Sequence, residues 1–211
     1  MPASHMEKVA RLRHLVSEAE LSYAVAQRVA AARGATVPVR HKCFVSYHGA
    51  DIDGVTAFVE GFNGVFIPRV IGVSDSDHFQ EPVSSQDEDY IKDQIGSKYL
   101  SESTVTVLYV GKCTWARKYV DWELSSSLRN SPVNRRNGLL AITPADRSTN
   151  TLPGRFADNF ASDDTKYGRY YYYPTTEASL RAWIEDAFTA RTARTNLVDN
   201  TRRLRKNNAA C

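Results

Sequence analysis

Between Cys43 and Phe188 the apolar pattern switches repeatedly between a strand-like and a helix-like period, and this switching constrains the fold more than any other feature of the chain. Cys43-Phe44-Val45-Ser46-Tyr47 has the β-favouring content of a strand buried on both faces. Asp53 is then placed to N-cap a helix in which Val55, Phe58, Val59 and Phe62 share one stripe. Val65-Phe66-Ile67 and Val70-Ile71 form a second strand region, and Pro68, which has no N–H for a sheet ladder, predicts an edge position or a bulge. Ser85 and Glu88 stand at capping-box spacing before a helix running through Ile91 and Ile95 to about Leu100. Thr104 to Val110 is the clearest strand and is expected to be central. Val120, Leu124 and Leu128 mark the next helix, Gly138 to Ile142 a fourth strand, and Tyr170 to Tyr173 the last strand. Leu180, Trp183, Ile184, Ala187 and Phe188 give the final helix its core face.

The resulting order, β-α-β-α-β-α-β-β-α, implies right-handed crossovers and a mostly parallel sheet with helices on both faces. In such α/β sheets the ligand crevice lies outside the strand carboxyl ends. That geometry selects the loops 46–54, 74–86, 111–117 and 144–169.

Outside this region, Glu7 to Arg33 contains neither Pro nor Gly, and Val9, Leu12, Val16, Ala19, Tyr23, Ala26 and Ala30 alternate at spacings of three and four. This extra N-terminal helix is expected to pack through that seam on its own domain or on a second copy, with Gly34 ending it. Residues 1–6 read as a disordered start or an expression junction. Residues 191–211 hold six basic groups against one acid, whereas the rest of the chain has 21 basic and 23 acidic groups, so the basic pI of 8.7 belongs to the tail. Poor in apolar residues, that tail is expected to be disordered and removable without loss of folding. The remaining surface has no charge bias towards nucleic acid, and the run Val105 to Val110 is far too short to span a membrane. Cys43, Cys113 and Cys211, widely spaced and odd in number, read as free thiols in a reducing compartment. A cytoplasmic location is the expectation.

No phosphate loop, dinucleotide-binding glycine fingerprint, zinc-protease helix or serine-hydrolase elbow is present, and the five histidines lack metal-ligand spacing, so no metal is expected. His48 follows the first strand directly, in Ser46-Tyr47-His48-Gly49-Ala50-Asp51, where side chains project into the crevice. Taken alone it is a loop histidine, and Tyr47 a packing residue. Glu123 sits next to core-facing Leu124 and one turn after Tyr119, which places its carboxylate at the border between core and crevice. Trp115, just ahead of that helix, is positioned to wall the same cavity.

Phe44-Val45-Ser46-Tyr47-His48 with Asp51, then Ser103 to Gly111, then Thr114-Trp115 and Tyr119-Val120-Asp121-Trp122-Glu123-Leu124, together resemble the TIR-like domain of Thoeris antiphage defence proteins. The resemblance spans about residues 40–190. It implies a flavodoxin-like TIR fold that consumes NAD as substrate, needs no further cofactor, releases nicotinamide, and makes an ADP-ribose-derived signal, linear or cyclic, read by a separate effector. Self-association is expected of such a domain. By position in the motif, Glu123 is implied as the catalytic carboxylate, with Ser46, Tyr47, His48, Asp51, Trp115 and Tyr119 as substrate-binding residues. The alternative is a non-enzymatic TIR adaptor, since fold alone does not establish function.

Overall fold

The computed structural model describes residues 3–70, 90, 95, 100–131, 135–146 and 151–211. Its strands β1 (Lys42–Ser46), β2 (Ile67–Arg69), β3 (Val105–Tyr109), β4 (Gly138–Ile142) and β5 (Arg169–Tyr171) form one sheet in the order β2-β1-β3-β4-β5. Every pairing is parallel, which is the flavodoxin-like arrangement expected from the sequence. Pro68 lies in the edge strand β2, as its missing N–H requires. The strand order reverses direction between β1 and β3, so the crevice opens beside the ends of those two strands, where Ser46 pairs in register with Leu108.

The helices are α1 (His5–Ala32), α2 (Ile52–Gly61), α3 (Lys118–Leu128), α4 (Gly154–Asp158) and α5 (Glu177–Ala193). Strand side chains alternate between two cores, as the period of two dictates. Cys43, Val45, Val105, Val107, Leu140 and Ile142 face α1, α2 and α5, whereas Leu108, Leu139 and Ala141 face α3, Phe156 and Tyr167. Among the described residues no helix is long and apolar enough to cross a membrane. The predicted capping box at Ser85 and Glu88 and the loop 74–86 lie outside the described residues; of the helix that follows, Tyr90 and Ile95 are helical and Ile95 is buried.

Asp53 does not cap α2. A single 3-10 turn, Gly49–Asp51, leads directly into Ile52, whose burial draws the helix start two residues earlier, and Asp53 instead pairs with Lys8 Nζ at 2.6 Å. A short helix that the sequence did not announce, α4, occupies the connection that read only as polar.

Ser4 caps α1: its Oγ accepts from Glu7 N at 3.3 Å while its own N donates to Glu7 Oε2 at 2.5 Å. Gly34, at φ +65°, takes the left-handed turn that follows the helix. Over its first half the helix packs on its own domain, burying Leu12, Leu15 and Ala19 with Val9 and Val16 alongside. Further on, Tyr23 lies under the Arg40 guanidinium, and Leu21, Val25 and Val29 remain exposed.

The C-terminal segment corrects the sequence reading. Residues 194–211 are not loose but run along α3, because they supply hydrogen bonds to polar groups that are buried elsewhere. Arg155, fully buried, donates from Nε and Nη2 to Asp121 (3.0 and 3.2 Å), from Nη1 to Asn200 Oδ1 (2.7 Å) and from Nη2 to the Arg203 carbonyl (3.3 Å). Asp121 Oδ2 also accepts from Arg205 N at 2.8 Å. Asn159 accepts from Asp199 N and donates to the Asp199 carbonyl, and Asn200 donates to the Ser125 carbonyl. Leu204 is buried against Phe44, Trp122 and Leu100, and Trp122 Nε1 donates to the Arg205 carbonyl at 2.8 Å. A tail short of apolar residues is thus ordered by polar pairing.

The expectation of three free thiols is corrected as well: Cys113 and Cys211 form a disulfide across 98 residues, and only Cys43 is free, buried in β1. The pairing depends on the tail returning to the loop after β3, which spacing in sequence does not reveal.

Candidate active site

Helix α3 is buried along most of its length, from Val120 to Leu128, because the sheet covers one side and α4 and the C-terminal segment cover the others. A polar side chain on this helix therefore cannot reach bulk water and must be satisfied within the protein or by a ligand. Asp121 has Arg155. Glu123, 7% exposed, has no cation beside it among the described residues; its Oε2 accepts the Ser46 hydroxyl at 2.6 Å.

The electrostatic result follows from that difference. Burial pushes the Glu123 carboxyl up to about 8, opposed by the Ser46 hydrogen bond, which favours the anion. Ser46 is itself buried at the carboxyl end of β1, so the pair sits where the β1/β3 switch point places a ligand crevice. The next residue, Tyr47, has its phenol raised to about 12 by burial and by the Glu123 charge, which puts its ring in the same electrostatic neighbourhood.

His48 is lowered from its ordinary value by burial first and then by the Arg117 cation, with Asp51 opposing both. Asp51 lies against the exit of β3. A Cβ on Gly111 would fall 2.0 Å from Asp51 Oδ2, so only glycine lets the carboxylate approach the chain so closely. Thr114 Oγ1 accepts from Gly111 N at 2.9 Å and lies 3.5 Å from Asp51 Oδ2, fixing the loop that leads to Trp115. Thus Ser46, Tyr47, His48, Asp51 and Glu123 are drawn to one rim of the sheet, the first and last in direct contact.

Trp115 and Tyr119 are placed differently. Trp115 lines a cleft with Arg117 and Asp121 at the start of α3. Tyr119 packs edge-on against Trp122 at 5.3 Å, with Lys118 Nζ 4.8 Å from its ring centre, in the small cluster that receives Leu204. The sequence reading named Thr114 within the motif without giving it a role, and it missed Arg117 and the buried Arg155. Arg117 stands two residues after Trp115 in a loop already selected by topology, so a guanidinium beside an aromatic at a helix entry was the available signal. Arg155 offered none, because its partner Asp121 is identifiable only once α4 is placed.

A parallel sheet in this strand order, with one glutamate carboxyl buried at its carboxyl rim beside the first strand's serine, defines the chain as a TIR-like α/β domain. The family described as Thoeris protein ThsB, TIR-like domain, matches residues 44–149, half of the chain, and the protein belongs to that family. The matched segment contains all seven residues from Ser46 to Glu123 discussed above, and it ends before α4, β5 and α5. No curated protein matches the chain.

Proposed function

We propose that the protein is an NAD-consuming TIR enzyme that cleaves the bond between nicotinamide and ribose and makes an ADP-ribose-derived signal for a separate effector in antiviral defence. The observation that carries this reading is the Glu123 carboxyl, buried at the rim of β1 and β3 and held by the Ser46 hydroxyl. In NAD the leaving pyridinium is already cationic, so nicotinamide departs as a neutral base and needs little acid catalysis. Positive charge then develops on the ribose, and a fixed carboxylate supplies opposite charge where it appears. The C1′–N bond breaks with its electron pair going to nicotinamide, and a water or a hydroxyl of the same molecule adds to C1′ and loses its proton. Ser46 orients the carboxylate; Tyr47, His48 and Asp51 form the surrounding rim.

The test is incubation of purified protein with NAD, with and without lysate of infected cells, followed by chromatography for nicotinamide. Release that disappears in Glu123→Gln supports the proposal. A wild-type protein silent under every trigger but still binding a protein partner replaces it with the adaptor reading.

A further inference from the structure

A cleft of about 220 Å³ opens between the start of α3, the start of α4 and residues 202–205. Four arginines line it, Arg117, Arg202, Arg203 and Arg205, with Trp115 as one wall. The acids nearby are already engaged. Asp121 is held by Arg155 and by Arg205 N, and Asp158 takes Arg202 through two bonds of 2.6 and 2.8 Å. The guanidinium groups of Arg117, Arg203 and Arg205 make no hydrogen bond or ion pair among the described residues, and Arg117 Nε is shielded from water without an acceptor. Trp115 has no ring contact there either.

Three uncompensated cations around one concavity repel each other and raise the local potential, an arrangement that an anion in the cleft relieves. A guanidinium presents a planar fork of N–H donors matched to phosphate oxygens. A single carboxylate carries too little charge and too few acceptors to satisfy three such forks, whereas a diphosphate suits both counts. The cleft is a small, partly open concavity and not an extended stripe, which favours a small molecule over a nucleic-acid strand, and Trp115 offers a flat apolar face for a base or sugar.

We infer that this cleft binds the diphosphate of a nucleotide, with Arg117, Arg203 and Arg205 on the phosphates and Trp115 against the attached nucleoside. Arg202, Arg203 and Arg205 lie outside the family's matched segment, so the C-terminal segment adds three of the cleft's four arginines. Arg117 also depresses His48, which connects the cleft electrostatically to the Glu123 rim.

The test titrates ADP, inorganic pyrophosphate and adenosine into the full chain at constant ionic strength, with sulfate as comparator, following tryptophan fluorescence and melting temperature. ADP and pyrophosphate are expected to saturate and raise the melting temperature, adenosine to do neither, and Trp115→Phe to remove most of the fluorescence response. Arg203→Gln combined with Arg205→Gln should weaken ADP binding at least tenfold while circular dichroism stays unchanged, and Arg117→Gln alone should weaken it by a similar factor. Equal effects of sulfate and ADP, or undiminished ADP binding in both variants, overturn the inference. Two sources of the diphosphate separate by kinetics: a raised KM for NAD in the variants assigns it to the substrate, and an unchanged KM with lost ADP binding assigns it to a second nucleotide. Binding of ADP is read without turnover, so absence of NAD cleavage leaves the result interpretable.

Discussion

Ser46 Oγ donates to Glu123 Oε2 at 2.6 Å across 77 residues of sequence, and among the described residues this bond is what draws the buried carboxyl's proton affinity back down. Ser46→Ala should therefore move the Glu123 transition further up from about 8. The measurement is the pH profile of kcat/KM for NAD, which reports groups of the free enzyme. An inflection at the same pH in both proteins would show that Ser46 does not tune the carboxyl.

Glu123→Gln should retain the fold and lower NAD cleavage by about 10²-fold or more, the scale on which removal of one preorganised transition-state contact acts. Nicotinamide release in a single-turnover assay reads this directly. Tyr119→Phe, whose ring packs on Trp122, should leave the rate within about threefold.

The pH dependence of stability has a definite sign. Below about pH 4.5 Glu123 is protonated in both folded and unfolded chains and contributes nothing; as pH rises towards about 8 the unfolded chain releases a proton that the folded one retains, so stability falls across that window. Above about 8 the full cost of a buried charge remains, on the order of a few kcal/mol. Glu123→Gln should be more stable than wild type at pH 9 and nearly equal at pH 4. The cationic nicotinamide ring of NAD, placed against the carboxylate, pulls the equilibrium the other way. NAD binding at pH 7 should release close to one proton, measurable by calorimetry in buffers of different ionisation enthalpy.

Removal of residues 195–211 should lower the melting temperature sharply, contrary to what the composition of that segment suggests. It withdraws three partners from the buried Arg155–Asp121 pair and uncovers Trp122 and Phe44. Each buried polar group left without its hydrogen-bond partner costs about 1–3 kcal/mol. Cys211→Ser should cost less, about 2–4 kcal/mol, since the noncovalent contacts remain. A truncated chain melting with wild type would show that the segment does not stabilise the domain.

Helix α1 offers a graded test of its packing. Leu12→Ala, at a position with no exposure, should cost about 2–5 kcal/mol by leaving a cavity, whereas Val25→Ala, 49% exposed, should change stability by no more than about 0.5 kcal/mol. Urea denaturation distinguishes the two. Equal effects would mean that the helix packs along its whole length or not at all.

The sheet was legible in the sequence because each strand is a short apolar run bounded by turn residues, and Gly138 to Ile142 matches its observed limits to the residue. Alternation of strand and helix then placed the crevice at the strand carboxyl ends, the rim at which the structure puts Ser46, His48 and Glu123. What remained hidden was stabilised by means other than apolar periodicity. The start of α2 was set by the burial of Ile52 and not by a capping side chain at Asp53. The C-terminal segment holds on through Asp199, Asn200 and backbone groups at Arg203 and Arg205, and hydrogen bonds between polar residues distant in sequence leave no pattern to read. Arg117 acts through charge on a residue of another loop, which only three-dimensional proximity discloses.

The contribution of α4, β5 and the last segment also bears on how the protein can be dissected. A fragment cut to the family's matched limits, residues 44–149, would keep Glu123 and Ser46 yet discard Arg155, Tyr167 and Leu204, as well as Leu12 and Leu15 from the other side. Asp121 would lose its guanidinium, and the β4 edge would stand open where β5 had paired. Similarity boundaries here are not folding boundaries: the smallest unit fit for biochemical work runs from the Ser4 cap to the Cys211 tie.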